Sequence, residues 1–203
     1  LTHIRHSEKV FNMKRLLLIL ILTFSFQSLI KADDIRDFQI EGISVGDNLL
    51  DHFSKKEINK RDIFYYPKSK KFVGISFANQ NFYKIFKSVQ FTFSENDKKI
   101  VSIGGRIFFP NDIQGCLKKK DEIVKELSEM FGNEVTIQEV NKAHRADNSG
   151  KSKITSIYFI FKNDDAVKVN CYDWDKNMEY KDALVLNIDA FEYRNFLSNE
   201  AYK

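Results

Sequence analysis

The chain has 203 residues, 43% of them hydrophobic, which is enough for a sizeable core without support from a metal or a disulfide. Residues 1–32 hold five of its 32 Lys and Arg and one of its 28 Asp and Glu, so residues 33–203 carry 27 of each. This net charge near zero excludes an electrostatic case for nucleic-acid binding, because phosphate neutralisation supplies much of that affinity.

A basic start followed by an apolar run indicates a secretory signal peptide over residues 13–32. The letters MKR at 13–15 precede a mostly apolar run at 16–30, and Ala32 offers a cleavage site. The run is shorter than the ~20 apolar residues that span a membrane, so we expect no permanent membrane span after cleavage. Residues 1–12 precede the start methionine and are interpreted as an upstream segment that is not native. These features predict a periplasmic or secreted protein.

The first motif beyond the leader, GISVG at residues 42–46, matches the G-x-S-x-G nucleophile elbow of serine esterases. That elbow needs a strand of an existing parallel sheet before the serine, and an acid and a histidine after it. Too few residues of the predicted mature chain precede Ser44 to build such a sheet. The two histidines beyond the leader, His52 and His144, lie in a charged stretch and a polar loop. We therefore assign no catalytic residue and favour a protein that is not an enzyme.

The same serine fits the start of a helix. Ser44 and Asp47 form an S-x-x-D pattern, in which the serine oxygen accepts a backbone N–H and contributes ~1 kcal/mol. Apolar residues at i, i+4 and i+8 from Val45 mark one helical face. We therefore predict that Ser44 and Asp47 cap a helix over 45–53, and that a second capping box begins a further helical turn at Ser54.

From Ile63 the hydrophobic pattern becomes that of strands. Aromatic and β-branched residues form four segments, IFYYP, KFVGISFA, FYKIFKSVQFTFS and KKIVSIGGRIFF. The clusters PKSK, NQN and ENDKK separate them as turns, so we predict an antiparallel meander. The pair Gly104-Gly105 inside the last segment predicts a bulge.

A period of 3.6 residues then predicts a helix over 112–131, which ends at Gly132 and covers one face of a sheet. A second group of strands follows, EVTIQEV, ITSIYFIF, AVKVNCYDW and ALVLNI, and the tail predicts a short closing helix. Runs of strands between helices indicate an α+β fold with antiparallel sheet, in which two main helices pack on the strands. A duplicated unit of one helix and three strands is one interpretation. We predict a single α+β domain over residues 33–203.

The two cysteines, Cys116 and Cys171, can form one disulfide in an exported chain, and two separate buried thiols are the alternative. The His and Cys residues lack the spacing of a zinc site, so neither a metal nor a cofactor is predicted. The letters DWDKNME at 173–179 match the start of a calcium loop. However, Met178 stands where that loop needs Gly, and Leu184 replaces its final Glu.

Three aromatic residues near the end of a predicted strand, Tyr172, Trp174 and Tyr180, have two interpretations. They can line a binding surface, because aromatic residues anchor interfaces. Packing in the core or on the sheet is the interpretation that the sequence favours, because Trp is highly buried on average.

Four stretches, DIRDFQIEGISVGDNLLDHFSKKEI, FYYPKSKKF, CLKKKDEIVKELSEMFG and VNCYDW, resemble small exported proteins from AT-rich marine bacteria. The resemblance covers most of residues 33–203 and implies an exported location, with no known activity. Together with the missing catalytic patterns, it favours a non-enzymatic binding or envelope-associated module whose partner is an envelope protein or a small ligand. The alternatives are a hydrolase with an unrecognised site, and a secreted inhibitor or small-ligand carrier.

Overall fold

A computed structural model of the chain describes residues 34–81 and 83–203. The predicted signal peptide, residues 13–32, and the upstream segment, residues 1–12, lie outside the described residues. None of the described helices has both the length and the apolar composition needed to span a membrane.

The described residues form four α-helices and ten strands, preceded by a 3-10 turn at Ile35–Asp37. The helices are α1 (Leu49–His52), α2 (Lys55–Ile58), α3 (Ile113–Phe131) and α4 (Phe191–Asn199). The strands are β1 (Gln39–Ile40), β2 (Ile43–Ser44), β3 (Ile63–Tyr65), β4 (Phe72–Ala78), β5 (Ser88–Ser94), β6 (Ile100–Phe108), β7 (Val135–Ala143), β8 (Lys153–Phe161), β9 (Ala166–Asp173) and β10 (Ala183–Asp189).

Eight of the strands form one antiparallel sheet in the order β3-β4-β5-β6-β10-β9-β8-β7. The first four strands and the last four each form a meander, and the two meanders meet where β6 pairs with β10. Helical segments precede both halves, α1 and α2 the first and α3 the second. The predicted α+β class with antiparallel sheet is confirmed, and each half has the four strands that its four strand-like segments predict. The duplicated unit of one helix and three strands was one strand short.

The start of the first helix was predicted wrongly. The helix α1 begins at Leu49 instead of residue 45, and its N-cap is Asn48, whose side chain accepts the N–H of Leu50. The preceding residues are held against the β5–β6 hairpin, because Gly46 donates its N–H to the carbonyl of Ile100 over 2.8 Å. Gly46 itself lies in a turn with a φ of +99°, which is not a helical backbone angle, so the helix starts after it.

The second capping box is confirmed. The hydroxyl of Ser54 accepts the N–H of Glu57, and the Glu57 carboxylate accepts the N–H of Ser54 over 2.8 Å. This reciprocal pair satisfies two backbone donors that a short helix leaves without partners, and α2 begins there.

One face of the sheet, called the covered face, carries the main hydrophobic core. Val167, Val169 and Cys171 of β9 lie on this face, and α3 packs against it with residues such as Leu127 and Phe131. The apolar stripe of α3 therefore covers the sheet as the 3.6-residue period predicts, with Asp112 as its N-cap.

A disulfide joins α3 to the sheet. Cys116 of α3 bonds to Cys171 of β9, and their Cα atoms lie 6.0 Å apart. The bond closes a loop with a sequence separation of 55 residues, which includes β7 and β8. Of the two alternatives that the sequence leaves open, the disulfide is the one present.

The predicted closing helix is confirmed as α4, and it packs on the opposite face, at one end of the sheet. Phe196 and Tyr193 of α4 form a second buried cluster with Tyr66, Phe72 and Val101. The hydroxyls of Tyr66 and Tyr193 share a hydrogen bond of 2.6 Å, which satisfies both groups inside this cluster.

The pair Gly104-Gly105 allows close packing where the two halves meet, and the predicted bulge at this pair is wrong. A Cβ on Gly104 would lie 2.5 Å from the amide nitrogen of Asn187, and one on Gly105 would lie 2.6 Å from the ring of Phe86. The ladder runs regularly through both glycines, and the irregularity lies next to Val101 instead. Glycine is therefore needed here for space.

We expect reduction of the disulfide to lower the free energy of unfolding by roughly 4 kcal/mol, because the reduced unfolded chain regains the entropy of a long loop. Urea unfolding of the oxidised protein, the reduced protein and a Cys116→Ser, Cys171→Ser variant measures this loss. The reductant should leave the double variant unchanged. Equal midpoints for oxidised and reduced wild-type protein would contradict the expectation.

Candidate binding face

The face of the sheet opposite α3, called the open face, carries mostly polar and aromatic side chains. Side chains of a strand alternate between faces, so Lys168, Asn170 and Tyr172 lie opposite the core residues of β9. The register of the other strands assigns further residues to the same face. Beyond the end that α4 covers, they include Ser76, Ser88, Gln90, Gly104, Arg106, Gln138, Val140, Lys142, Ser156, Tyr158, Val185 and Asn187.

The centre of the open face is held in place by amide groups. The side chain of Asn170, which is buried, donates to the carbonyl of Val185 over 3.1 Å and to Oδ1 of Asn187 over 2.9 Å. Asn187 reaches this position across Gly104, where a side chain would collide with it. Arg106 and Gln90 stand beside it and are exposed. The surface here is therefore ordered before any partner arrives.

This centre has only a small depression. Its volume is about 30 Å³, and it lies between Ser76, Ser88, Gln90, Arg106 and Asn187. Such a volume holds only a few water molecules, because each needs ~10–15 Å³ of such space. A small molecule could not be enclosed in it, whereas a large surface could lie across it.

A buried ion pair lies between the centre and α4. Asp189, only 1% exposed, pairs with the ammonium of Lys168 and accepts the hydroxyl of Ser102 over 2.6 Å. Burial alone would lower the pKa of Lys168, but the Asp189 carboxylate outweighs this effect, and the pKa of Lys168 is raised. Lys168 therefore stays charged and paired, which makes it unsuited to act as a base for Ser102.

Four rings form an aromatic cluster at the end of the open face, made of His144, Tyr172, Trp174 and Tyr180. The ring centroid of Trp174 lies 4.3 Å from that of His144 and 4.5 Å from that of Tyr180. Tyr172 stacks on Trp174 with an interplanar angle of 11°. Trp174 is half-buried and Tyr180 is 59% exposed. The aromatic residues singled out in the sequence therefore pack on one another at the surface.

The β7–β8 loop supports the cluster through Asp147. The Asp147 carboxylate accepts the backbone N–H groups of Ser149 and Ser152 and the hydroxyl of Ser152, each within 2.8 Å. The Ser152 hydroxyl in turn accepts the N–H of Asp175, next to Trp174, over 3.0 Å. Hydrogen bonds from Ser149 and Ser152 hold the pKa of Asp147 well below its usual range. His144 begins this loop, and burial, followed by the charge of Arg145, lowers its pKa.

The residues predicted to cap the first helix lie elsewhere, close to β2. Ser44 is buried in β2, and its backbone N–H donates to Oδ2 of Asp47 over 2.9 Å. His52 Nε2 lies 3.0 Å from the same Asp47 oxygen. Among the described residues, His52 therefore hydrogen-bonds to Asp47 and not to the hydroxyl of Ser44. The contact in this motif that most resembles a catalytic pair is therefore the one between His52 and Asp47. It does not include the hydroxyl of Ser44.

The segment that matches the start of a calcium loop forms a turn between β9 and β10. Oδ1 of Asp175 accepts both the backbone N–H and the side-chain amide of Asn177, over 3.0 and 2.7 Å. Across residues 34–81 and 83–203, no three His, Cys, Asp or Glu side chains come together in a way that could hold a metal ion.

Sequence reasoning did not single out the residues at the centre of the open face, among them Arg106, Asn170 and Asn187. Their only signal is that each occupies a polar position in an alternating strand segment. They lie in three strands, and β6 becomes the neighbour of β10 only through a connection of more than seventy residues. The sequence pattern therefore gives the polar positions but not their assembly.

Comparisons of the chain with protein-family models, with curated proteins and with solved structures find no match. The resemblance to small exported bacterial proteins therefore stays a prediction.

We expect Asp147→Asn to destabilise the protein at neutral pH and to destabilise it less in acid. A carboxyl whose folded pKa is depressed stabilises the fold above its unfolded pKa of about 3.9, and this stability is lost as the pH falls towards the folded pKa. Urea unfolding at pH 7 and at pH 3 measures the difference from wild type. Asp51→Asn, at an exposed position of α1, is the control. A difference between wild type and Asp147→Asn that stays the same at both pH values would contradict this expectation.

Proposed function

We propose that this protein is an exported, non-enzymatic binding module that contacts a partner protein through the open face of its sheet. The observation that carries the proposal is the unequal cover of the two faces. Helix α3 and the main core bury one face, whereas α4 covers only an end of the other. The remaining polar and aromatic side chains need water or a partner against them.

The chemistry of the open face suits a protein surface. Tyr, Trp and Arg carry most of the binding energy in protein interfaces, and Ser and Asn provide adaptable hydrogen bonds. The open face combines Arg106 of β6 with the aromatic cluster, and Ser88 and Asn187 lie on β5 and β10, the two strands that flank β6. Because strands and hydrogen bonds already fix these side chains, binding costs little additional conformational entropy.

The charge of the open face indicates which partner it suits. The charged residues on its strands are Arg106, Lys142, Lys168 and Asp189. Lys168 and Asp189 neutralise each other in the ion pair, so the exposed charges are those of Arg106 and Lys142, both positive. A partner with an acidic or neutral polar surface fits this face, and opposite charges would speed its association.

Export has two supports. The leader pattern over residues 13–32 is that of a secretory signal peptide. The second is the disulfide between Cys116 and Cys171, because disulfides persist in oxidising compartments such as the periplasm and are rare in the cytosol.

A small-ligand carrier is the less favoured function. The described residues do have a cleft of about 310 Å³ at the end of β7 and β8, between Glu134, Thr136, Ile160 and Lys162. Ligand sites are concave and mostly apolar, with a few polar groups, and they bury most of the ligand. This cleft is open and largely polar in its lining, so it offers little apolar burial to a small molecule.

Site-specific photo-crosslinking in cells tests the function. A photoreactive residue replaces Gln90 or Asn187 on the open face, or Lys118 or Lys125 on the exposed side of α3 as matched controls. We expect the full chain, expressed with its leader in its native host, to give a discrete cross-linked protein from the open face and none from α3. Cross-links from α3 alone would contradict the proposed binding face. A protein that remains in the cytosol with its leader attached would contradict the proposed export.

We further expect the double substitution Trp174→Ala, Tyr180→Ala to weaken binding of that cross-linked partner at least tenfold. Buried aromatic anchors of an interface each contribute on the order of 2 kcal/mol, which exceeds a factor of ten. Tyr65→Ala is the control, because Tyr65 is also an exposed aromatic residue but lies on β3, at the far edge of the sheet. Calorimetric titration gives both affinities, and equal losses for the two variants would speak against the open face.

A further inference from the structure

The two edges of the eight-stranded sheet differ in how they are protected. One edge strand, β3, has three residues, whereas the other, β7, has nine and pairs with β8 without any bulge. Most residues of β7 are exposed, including Ile137 at 50%. It contains no proline, and within the described residues no segment pairs with its outer side. Long, regular edge strands are templates for pairing with another chain, and proteins usually block them.

The outward hydrogen-bonding groups of β7 belong to its odd-numbered residues. His144, just after β7, donates its N–H to the carbonyl of Ser152, so these two residues occupy a hydrogen-bonded position of the ladder. Hydrogen-bonded and non-hydrogen-bonded pairs alternate along an antiparallel ladder. Lys142, Val140 and the other even-numbered residues of β7 therefore also form backbone hydrogen bonds with β8. The odd-numbered residues therefore direct their N–H and carbonyl groups away from the sheet. They are Val135, Ile137, Glu139, Asn141 and Ala143.

We propose that β7 pairs antiparallel with β7 of a second copy of this chain, about a two-fold axis at Val140. In this register Glu139 faces Asn141 of the partner copy, and Ile137 faces Ala143. Both pairs join odd-numbered residues, whose backbone N–H and carbonyl groups point outward and can bond to each other. Gln138 faces Lys142 of the partner copy, and the Val140 residues of the two copies face each other. A two-fold axis repeats each contact, so a self-complementary edge is sufficient to form the dimer.

Neighbouring registers are less favourable. An axis at Glu139 sets the two Glu139 carboxylates directly opposite each other, and like charges in that position are destabilising. An axis at Gln138 places the apolar Ile137 against Glu139, and one at Asn141 places Val140 against Lys142. Only the axis at Val140 matches apolar residues with apolar residues and keeps like charges apart.

The dimer does not depend on the proposed function, but it would extend it. A two-fold axis perpendicular to the sheet keeps the open face of both copies on the same side. The two open faces would then form one sheet surface with sixteen strands, and a partner could contact both copies.

The oligomeric state of the exported protein, measured by sedimentation, tests the proposal. Asn141→Pro removes an outward N–H and leaves every bond between β7 and β8 in place, which is how proline is tolerated on edge strands. We expect wild type and Asn141→Ala to sediment as dimers, and Asn141→Pro as a monomer with an unchanged circular dichroism spectrum. A wild-type protein that is monomeric up to millimolar concentration, or an Asn141→Pro variant that is still dimeric, overturns the proposal.

Cysteine cross-linking tests the register and does not require a proline variant that folds. Residues that face each other without hydrogen bonds have Cα atoms ~4.5 Å apart, close enough for a disulfide. We expect Val140→Cys to form a disulfide-linked dimer on mild oxidation. Gln138→Cys should remain monomeric under denaturing conditions, since in the proposed register it faces Lys142 of the partner copy. A dimer linked through residue 138, or no link through residue 140, overturns the register.

Discussion

The alternation of apolar and polar side chains along the strands is the constraint on which the rest of the structure depends. In β9, Val167, Val169 and Cys171 require cover, and the apolar stripe of α3 supplies it on that side only. Lys168 and Asn170, on the other side, are satisfied by Asp189 and by amide and carbonyl groups of β10. The result is a sheet with one dry face and one face whose polar groups are ordered, and the proposed function follows from that asymmetry.

Local sequence patterns were sufficient for the elements that depend on local contacts. The helix predicted over 112–131 is α3, with Asp112 as its cap, because its apolar period and its capping residue agree. The first helix failed because distant residues decided it: Gly46 bonds to Ile100, more than fifty positions away. The pattern at Ser44 and Asp47 is half realised: the Asp47 carboxylate does accept the Ser44 N–H, but the two residues between them form a turn and not the first turn of a helix.

The candidate site was less accessible to prediction than the fold, and the reason is topological. Alternation identifies Gln90 and Asn187 as polar positions, but only the pairing of β6 with β10 brings their strands close together. The role of the pair Gly104-Gly105 was also inaccessible from the sequence. A bulge and a close approach of side chains both require glycine, and the ring of Phe86 against Gly105 decides between them only in three dimensions. Trp174 likewise packs on Tyr180 of its own loop and on His144 of the β7–β8 loop, a pairing that the sequence does not reveal.

The position of β10 has a consequence for how the chain matures. Among the described strands it comes last along the chain, yet it lies between β6 and β9 and joins the two meanders. Until Asp189 has left the ribosome, both meanders end in a strand that lacks its neighbour. Such non-local pairing is slow to form, because the loop it closes must be ordered first. The two meanders of a growing chain therefore stay unjoined until β10 has been made, and a truncation before Ala183 would leave two unjoined halves.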